Sequence, residues 1–195
     1  MASTKAFQAF GMGSNPISRS SFLYTIQMLN FQKQDSMQTL HEGLLEFYSI
    51  NPHFRELVEK DSPNASVFKE HDYTHVLFGL GTSIEEESIL DTYVIWGMKF
   101  NWGKIFDFYK DPEYKEVIGD IVTKHGGYWG ILKIYLGLMW VKMKVFSRCM
   151  KMTKRWNYHN ISEDILNTPL RDIRREYNIH LIPLEEIPIG RYVSE

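Results

Sequence analysis

His71-Asp72-Tyr73-Thr74-His75-Val76-Leu77-Phe78-Gly79-Leu80-Gly81-Thr82-Ser83-Ile84-Glu85-Glu86-Glu87 is the stretch on which the reading of this chain turns. Residues from about Ser66 to Phe78 form a predicted helix, which Gly79-Leu80-Gly81 ends. His71 and His75 lie four residues apart in it and so project from one face, one turn apart, as a pair of metal-binding imidazoles must. Thr82 and Ser83 are each followed three residues later by a glutamate, Glu85 and Glu86. That is a doubled capping-box signature, opening a second helix to about Asn101. His75 stands four residues before Gly79 and Glu87 four residues after Ser83, so an antiparallel hairpin brings them to the same height. Asp72 lies about 60° around the axis from His75, where it reaches the same ion or holds a ligand from behind. Glu85 and Glu86 read as helix-start carboxylates facing the macrodipole. The candidate metal ligands are therefore His71, Asp72, His75 and Glu87.

Outward from the hairpin, helix signals dominate. Asp35 is the expected cap of a segment through Ser49, with Met37, Leu40, Leu44, Leu45 and Tyr48 on one side. Asn51-Pro52 opens a short helix to Lys60, and residues 61–64 form a turn. Asp111-Pro112 opens another helix, closed by Gly126-Gly127. Tyr128 to about Lys154 reads as one long helix, Ser162 caps a last one through Tyr177, and Ile179 to Glu195 reads as a tail. No strand-like alternation and no internal repeat occurs, so the expected class is all-α, a single-domain helical bundle.

The chain has 195 residues, 44% of them hydrophobic and 14% aromatic, with nine methionines, which is enough for a real core. The aromatic and methionine share also suits an apolar cavity between helices for a greasy ligand. Cys149 is the single cysteine, which excludes an intramolecular disulfide and any multi-cysteine zinc site. Its solitude agrees with a reducing compartment. The first residues carry no apolar signal-peptide core, and the acid-free, Ser-rich stretch 1–34 holds few basic residues for a transit peptide. The longest apolar run, Trp129 to Phe146, is broken by Lys133, Lys142 and Lys144 and is not read as membrane-spanning.

The net charge of −2 hides one asymmetry: no acidic residue occurs between Asp120 and Glu163. Within or beside that window Lys133, Lys144, Arg148, Lys151 and Arg155 cluster within roughly 60° on a helical wheel. Ile131, Ile134, Tyr135, Leu138, Met139, Val141, Val145 and Cys149 run beside and opposite them. A solvated face accounts for such a pattern; so does contact with an anionic membrane surface or prenyl phosphate. No nucleic-acid recognition motif accompanies the charge, and none is expected as a partner.

His71-Asp72-x-x-His75 resembles the zincin H-E-x-x-H, but Asp72 is one methylene shorter than the general base used there. The His-Asp doublet of metal phosphohydrolases needs an upstream His and a downstream Asp, for which His53 and Asp91 are nominees without supporting spacing. His41, His125, His159 and His180 show no ligand spacing either.

The full string, His71-Asp72-x-x-His75 followed by eleven residues and Glu87, is similar to the signature of the Coq-four family of coenzyme Q biosynthesis proteins. A second likeness is Pro169-Leu170-x-x-Ile173-Arg174-x-x-Tyr177-x-Ile179, near the family's closing element. The chain departs from the family in residues 61–70, which lack its Gly-containing loop, and so looks like a divergent member. The resemblance covers about residues 20–183, leaving residues 1–19 as an arm and 184–195 as a tail. It implies a ubiquinone-type biosynthesis protein, peripheral to a membrane, that binds a polyprenylated aromatic precursor or isoprenoid lipid. In a eukaryote that membrane is the mitochondrial inner membrane, matrix side; otherwise the protein is cytoplasmic and peripheral. The implied activity is oxidative removal of the ring carboxylate, and the implied partners include other quinone-biosynthesis proteins. The four ligands would hold a divalent metal ion, with zinc, iron, manganese and magnesium all compatible. Arg174 becomes a candidate for the head group. The alternative is a non-catalytic isoprenoid-lipid carrier or scaffold of the same complex.

Overall fold

The structure is a computed structural model, which describes residues 28–59, 65–99, 119, 122–157 and 161–190. Among these the chain is helical, with no strand and two isolated bridges, Thr39 with Pro169 and Met98 with Trp156. Helices α1 (Leu40–Ile50), α2 (Pro52–Glu59), α3 (Ala65–Phe78) and α4 (Ile84–Gly97) come first. After them come α5 (Gly127–Gly137), α6 (Met139–Met150), α7 (Glu163–Leu166) and α8 (Leu170–Tyr177). Short 3-10 turns, Asn30–Gln32 and Leu184–Glu186, stand at either end. The expected helix opening at Asp111 lies outside the described residues.

Helix α1 is capped by Thr39, not by Asp35. The Thr39 hydroxyl accepts from the Glu42 amide at 3.1 Å, and the Glu42 carboxylate takes the Thr39 amide at 2.8 Å. Starting there, α1 buries Leu40, Leu44, Phe47 and Tyr48, while Met37 and Leu45 are exposed. Pro52 opens α2 as its missing N–H allows. Helix α3 packs on α1, α2 and α4, and every residue from Asp72 to Leu80 is buried. A helix surrounded in this way is a core helix, which explains why it lacks a clean apolar stripe.

Helix α3 ends as a Schellman motif. Gly79 is left-handed (φ +66°); its amide donates to Val76 at 3.3 Å and the Leu80 amide to His75 at 3.0 Å. A Cβ on Gly79 would strain that φ and meet Leu181 at 2.8 Å. Ser83 then caps α4 and pairs with Glu86 alone; the Thr82–Glu85 half of the expected doubled box does not form. Helix α4 ends at Gly97, earlier than expected, because Met98 and Lys99 turn to pair with Trp156.

The expected long helix after Gly126 is α5 followed end to end by α6. The bonds from Leu138 to Ile134 at 3.0 Å and from Lys142 to Leu138 at 2.9 Å run across the junction. It stops at Met150, short of Lys154, and Thr153 instead donates to the Tyr177 carbonyl at 3.1 Å. Ile134, Leu138, Val141, Val145 and Cys149 form its buried seam, which α6 presses on α4. Its outer face leaves Tyr128, Trp129, Leu132, Leu136, Met139, Trp140 and Met143 exposed. The single helix expected from Ser162 to Tyr177 is two, because Pro169 has no N–H to continue the ladder. Beyond it, Ile179, Ile182 and Ile187 are buried, so the segment read as a tail packs on the core as far as Ile187. Among the described residues no helix is long and apolar enough to cross a membrane.

Candidate metal centre

The hairpin of α3 and α4 sets Glu87 opposite both imidazoles, as the height match requires. Glu87 Oε1 lies 3.3 Å from His75 Nε2, and Glu87 Oε2 lies 3.8 Å from His71 Nε2. The two imidazole rings meet edge to face, 4.7 Å between centroids. One donor atom from each of His71, His75 and Glu87 falls within 4.8 Å of the others. Donors around one ion with bonds of about 2.0–2.2 Å stand about 3.0–3.5 Å apart, so Glu87 already has that spacing from His75, and the widest pair must close by about 1–1.5 Å. The three side chains therefore could hold a metal ion after that contraction.

His75 is fully buried, and Phe47 of α1 stacks on its ring at 5.1 Å and 22°. Among the described residues neither of its ring nitrogens has a hydrogen-bond partner, since Glu87 is close to Nε2 but off the line of an N–H bond. A buried polar atom left unpaired is costly, and an ion at Nε2 removes that cost. His71 sits at the rim, with its side chain 41% exposed, and Glu87 at 30%. The site thus has a closed inner side and an open outer one.

Asp72 stands apart from that cluster. It is buried, accepts from the Tyr48 hydroxyl at 2.9 Å through Oδ2, and turns Oδ1 to His71 Nδ1 at 3.9 Å. Oδ1 has no hydrogen bond among the described residues. Burial would lower the His71 imidazole, but Asp72, Glu87 and Asp91 outweigh it and hold it up at about 8. Burial would raise the Glu87 carboxyl, but His75 and then His71 pull it below the usual range. Asp91, one turn further along α4, is pushed up to about 6, first by withdrawal from water and then by Glu87. Its Oδ2 accepts from the Tyr135 hydroxyl at 3.4 Å, and Lys142 lies 3.7 Å over the Tyr135 ring. His53 has its imidazole lowered by burial, against the opposing pull of Glu56 and Asp72. Neither His53 nor Asp91 joins the ligand cluster.

The other two glutamates hold the backbone. Glu86 accepts from the Gly81 amide at 2.7 Å and the Ser83 hydroxyl at 2.8 Å; a Cβ on Gly81 would collide with its carboxylate at 2.8 Å. Glu85 is buried and accepts from the Gly190 amide at 2.9 Å, a partner 105 residues away.

Arg174, a candidate for head-group contact, is a structural clamp instead. It is buried and donates to the carbonyls of Leu77 at 2.9 Å, Val76 at 2.8 Å, Phe31 at 2.7 Å and Lys33 at 2.6 Å. Burial lowers its guanidinium to about 10, still a cation, beside the carbonyl end of α3. The basic cluster divides in the same way. Lys144 pairs with Glu186 and Arg148 donates to the Leu181 carbonyl, while Lys133, Lys151 and Arg155 are exposed. Sequence reasoning placed Tyr48 on an apolar helix side without a role at the site, and gave none to the exposed Tyr128, Trp129 and Trp140. A helical wheel that included Trp129 and Trp140 would have shown them opposite the Ile134–Cys149 seam; nothing in the sequence marks Tyr48 as the partner of Asp72.

No family model matches the chain, and neither a curated protein nor a solved structure matches it.

Proposed function

We propose that this protein is a metal-dependent enzyme of prenylquinone biosynthesis, acting on the head group of a polyprenylated aromatic precursor. The observation that carries the metal is the facing of two imidazoles and one carboxylate, His75 being buried with both nitrogens unpaired. Three protein donors leave coordination positions open, the arrangement of catalytic sites and not of closed structural ones. That favours an enzyme over a non-catalytic carrier or scaffold. A bound divalent ion supplies Lewis acidity or oxygen activation at the aromatic head, in keeping with oxidative loss of the ring carboxylate. His71, His75 and Glu87 hold it, and Asp72 orients His71.

The motif's resemblance to the quinone-biosynthesis family supplies the substrate class. The polyprenyl tail lies in an apolar space between helices, with the ring at the open, His71 side of the site. The exposed apolar face of α5 and α6, edged by Lys133, Lys151 and Arg155, supports docking on an anionic membrane surface from which such a substrate is drawn. Metal analysis of the native protein, together with lipid extraction and mass spectrometry, tests the reading. Stoichiometric divalent metal and a co-purifying prenylated aromatic are expected. A metal-free protein would sink the enzyme, and metal without prenyl lipid would detach it from quinone chemistry. Glu87→Gln should weaken metal binding while Glu85→Gln leaves it unchanged, since Glu85 serves Gly190.

A further inference from the structure

Two consecutive residues of α1 stand behind the two imidazoles. Phe47 stacks on His75, and Tyr48 donates its hydroxyl to Asp72 at 2.9 Å, wholly within the buried interior. Adjacent helical residues diverge by about 100°, so only a helix crossing close to α3 reaches His75 with one and Asp72 with the next. Asp72 can offer its carboxylate in several rotations, and the Tyr48 bond selects one of them. It occupies Oδ2 and leaves Oδ1, buried and without a hydrogen bond, 3.9 Å from His71 Nδ1. His71 then has Asp72 at one nitrogen and Glu87, 3.8 Å away, at the other. A carboxylate on the far nitrogen of a ligating imidazole fixes its tautomer and ring direction.

We infer that Tyr48 is a positioning residue of the metal site. It holds Asp72 outside the coordination sphere, with Oδ1 toward His71 Nδ1, so that His71 Nε2 faces the ion. The inference rests on the metal reading above and adds a division of labour to it. His75 is fixed by stacking in the interior; His71, at the rim, meets the edge of His75 and is oriented at Nδ1 by the Tyr48–Asp72 pair. The weaker-held ligand is the one that Tyr48 governs.

The test uses the full chain, stripped with a chelator and titrated with cobalt(II), whose visible absorption reports ligand geometry. Tyr48→Phe removes one oxygen and should weaken cobalt binding about tenfold while altering the absorption bands. Asp72→Asn should do at least as much. Tyr48→Phe placed on Asp72→Asn should then add less than twofold, because Tyr48 acts through Asp72. Thermal melts of the metal-free variants separate a merely structural role, which lowers stability and leaves the cobalt spectrum unchanged. Wild-type affinity and spectrum in Tyr48→Phe overturn the inference and leave the metal site standing. Full additivity of the two substitutions, or a Tyr48→Phe chain that does not fold, also overturns it. A wild-type chain that takes up no cobalt removes the inference together with the site.

Discussion

The α3–α4 hairpin hides polar groups, whereas α5 and α6 turn apolar ones to water. In the hairpin Asp72, His75, Glu85 and Glu86 are each at most 6% exposed. On α5 and α6 Tyr128 is 82% exposed, Trp129 76% and Trp140 72%. Both regions break the usual inside–outside rule, in opposite directions, and each break is the informative kind. A buried imidazole whose nitrogens make no hydrogen bond among the described residues is what the proposed ion would complete. An aromatic strip at a surface gains from something that is not water. The difference separates the two places at which the proposed reading has the chain meet its surroundings, the hairpin by chemistry and the outer face of α5 and α6 by adhesion.

The most severe way to break the comparison is at His75. His75→Ala removes one of three donors, and metal affinity should fall by more than about 100-fold, beyond what indirect partners contribute. Metal content after dialysis checks it, and retention of the ion would make the hairpin an ordinary core. The second helix pair is sharpened by two neighbours. Leu138→Ala, on the buried seam, should cost about 2–5 kcal/mol in denaturant unfolding. Met139→Ala, on the outer face, should stay within about 0.5 kcal/mol. Equal costs would mean that the outer face is covered. Trp129→Ser with Trp140→Ser should weaken binding to anionic vesicles about 100-fold, each ring contributing about 1.5 kcal/mol of burial. The metal should be unaffected by that pair.

Smaller effects follow from charge. Replacing Lys133, Lys151 and Arg155 by Gln should weaken vesicle binding about tenfold, allowing for partial contact at about 1 kcal/mol each. The loss should fade with added salt, and unchanged sedimentation with liposomes at low salt would exclude a membrane role for these residues. The smallest effect is on pH dependence. His71 is held at about 8 when folded against 6.5 ordinarily. A raised folded value stabilises fully below about pH 6.5 and is lost as pH climbs through about 8. Metal-free protein should therefore melt slightly lower across that window, the effect being reduced by solvent at a ring 41% exposed. Metal binding should strengthen over the same window, because the proton must leave His71 first. Melts with chelator and with excess zinc should slope in opposite directions; parallel slopes would take His71 out of the site.

The hairpin was legible because its signals are local: a left-handed glycine, a serine cap and residues counted from each. The helix bounds slipped where two local signals competed, as Asp35 and Thr39 did for the start of α1. Thr39 prevails because Glu42 completes its box and Pro169 pairs with it across the fold. Pro169 was visible, but its break between α7 and α8 was overridden by the surrounding helical pattern. The direction of Asp72 depends on Tyr48, and the burial of Arg174 on carbonyls of two other segments, 31–33 and 76–77. Such long-range pairings leave no periodicity to read. The split of the basic cluster is of the same kind, since Glu186 and Leu181 claim Lys144 and Arg148 from outside the helix.

The Arg174 clamp has a consequence for the order in which the molecule is made. All three donors of the centre have left the ribosome once Glu87 has, yet the carbonyl end of α3 waits for a cation synthesised 98 residues after Val76. Contacts of such separation form late, because a long loop must close before they stabilise anything. A nascent chain halted after α6 should hold the imidazoles and the carboxylate on a loose hairpin and take up metal poorly. On the proposed reading, capture of the ion then waits until Arg174 closes on α3.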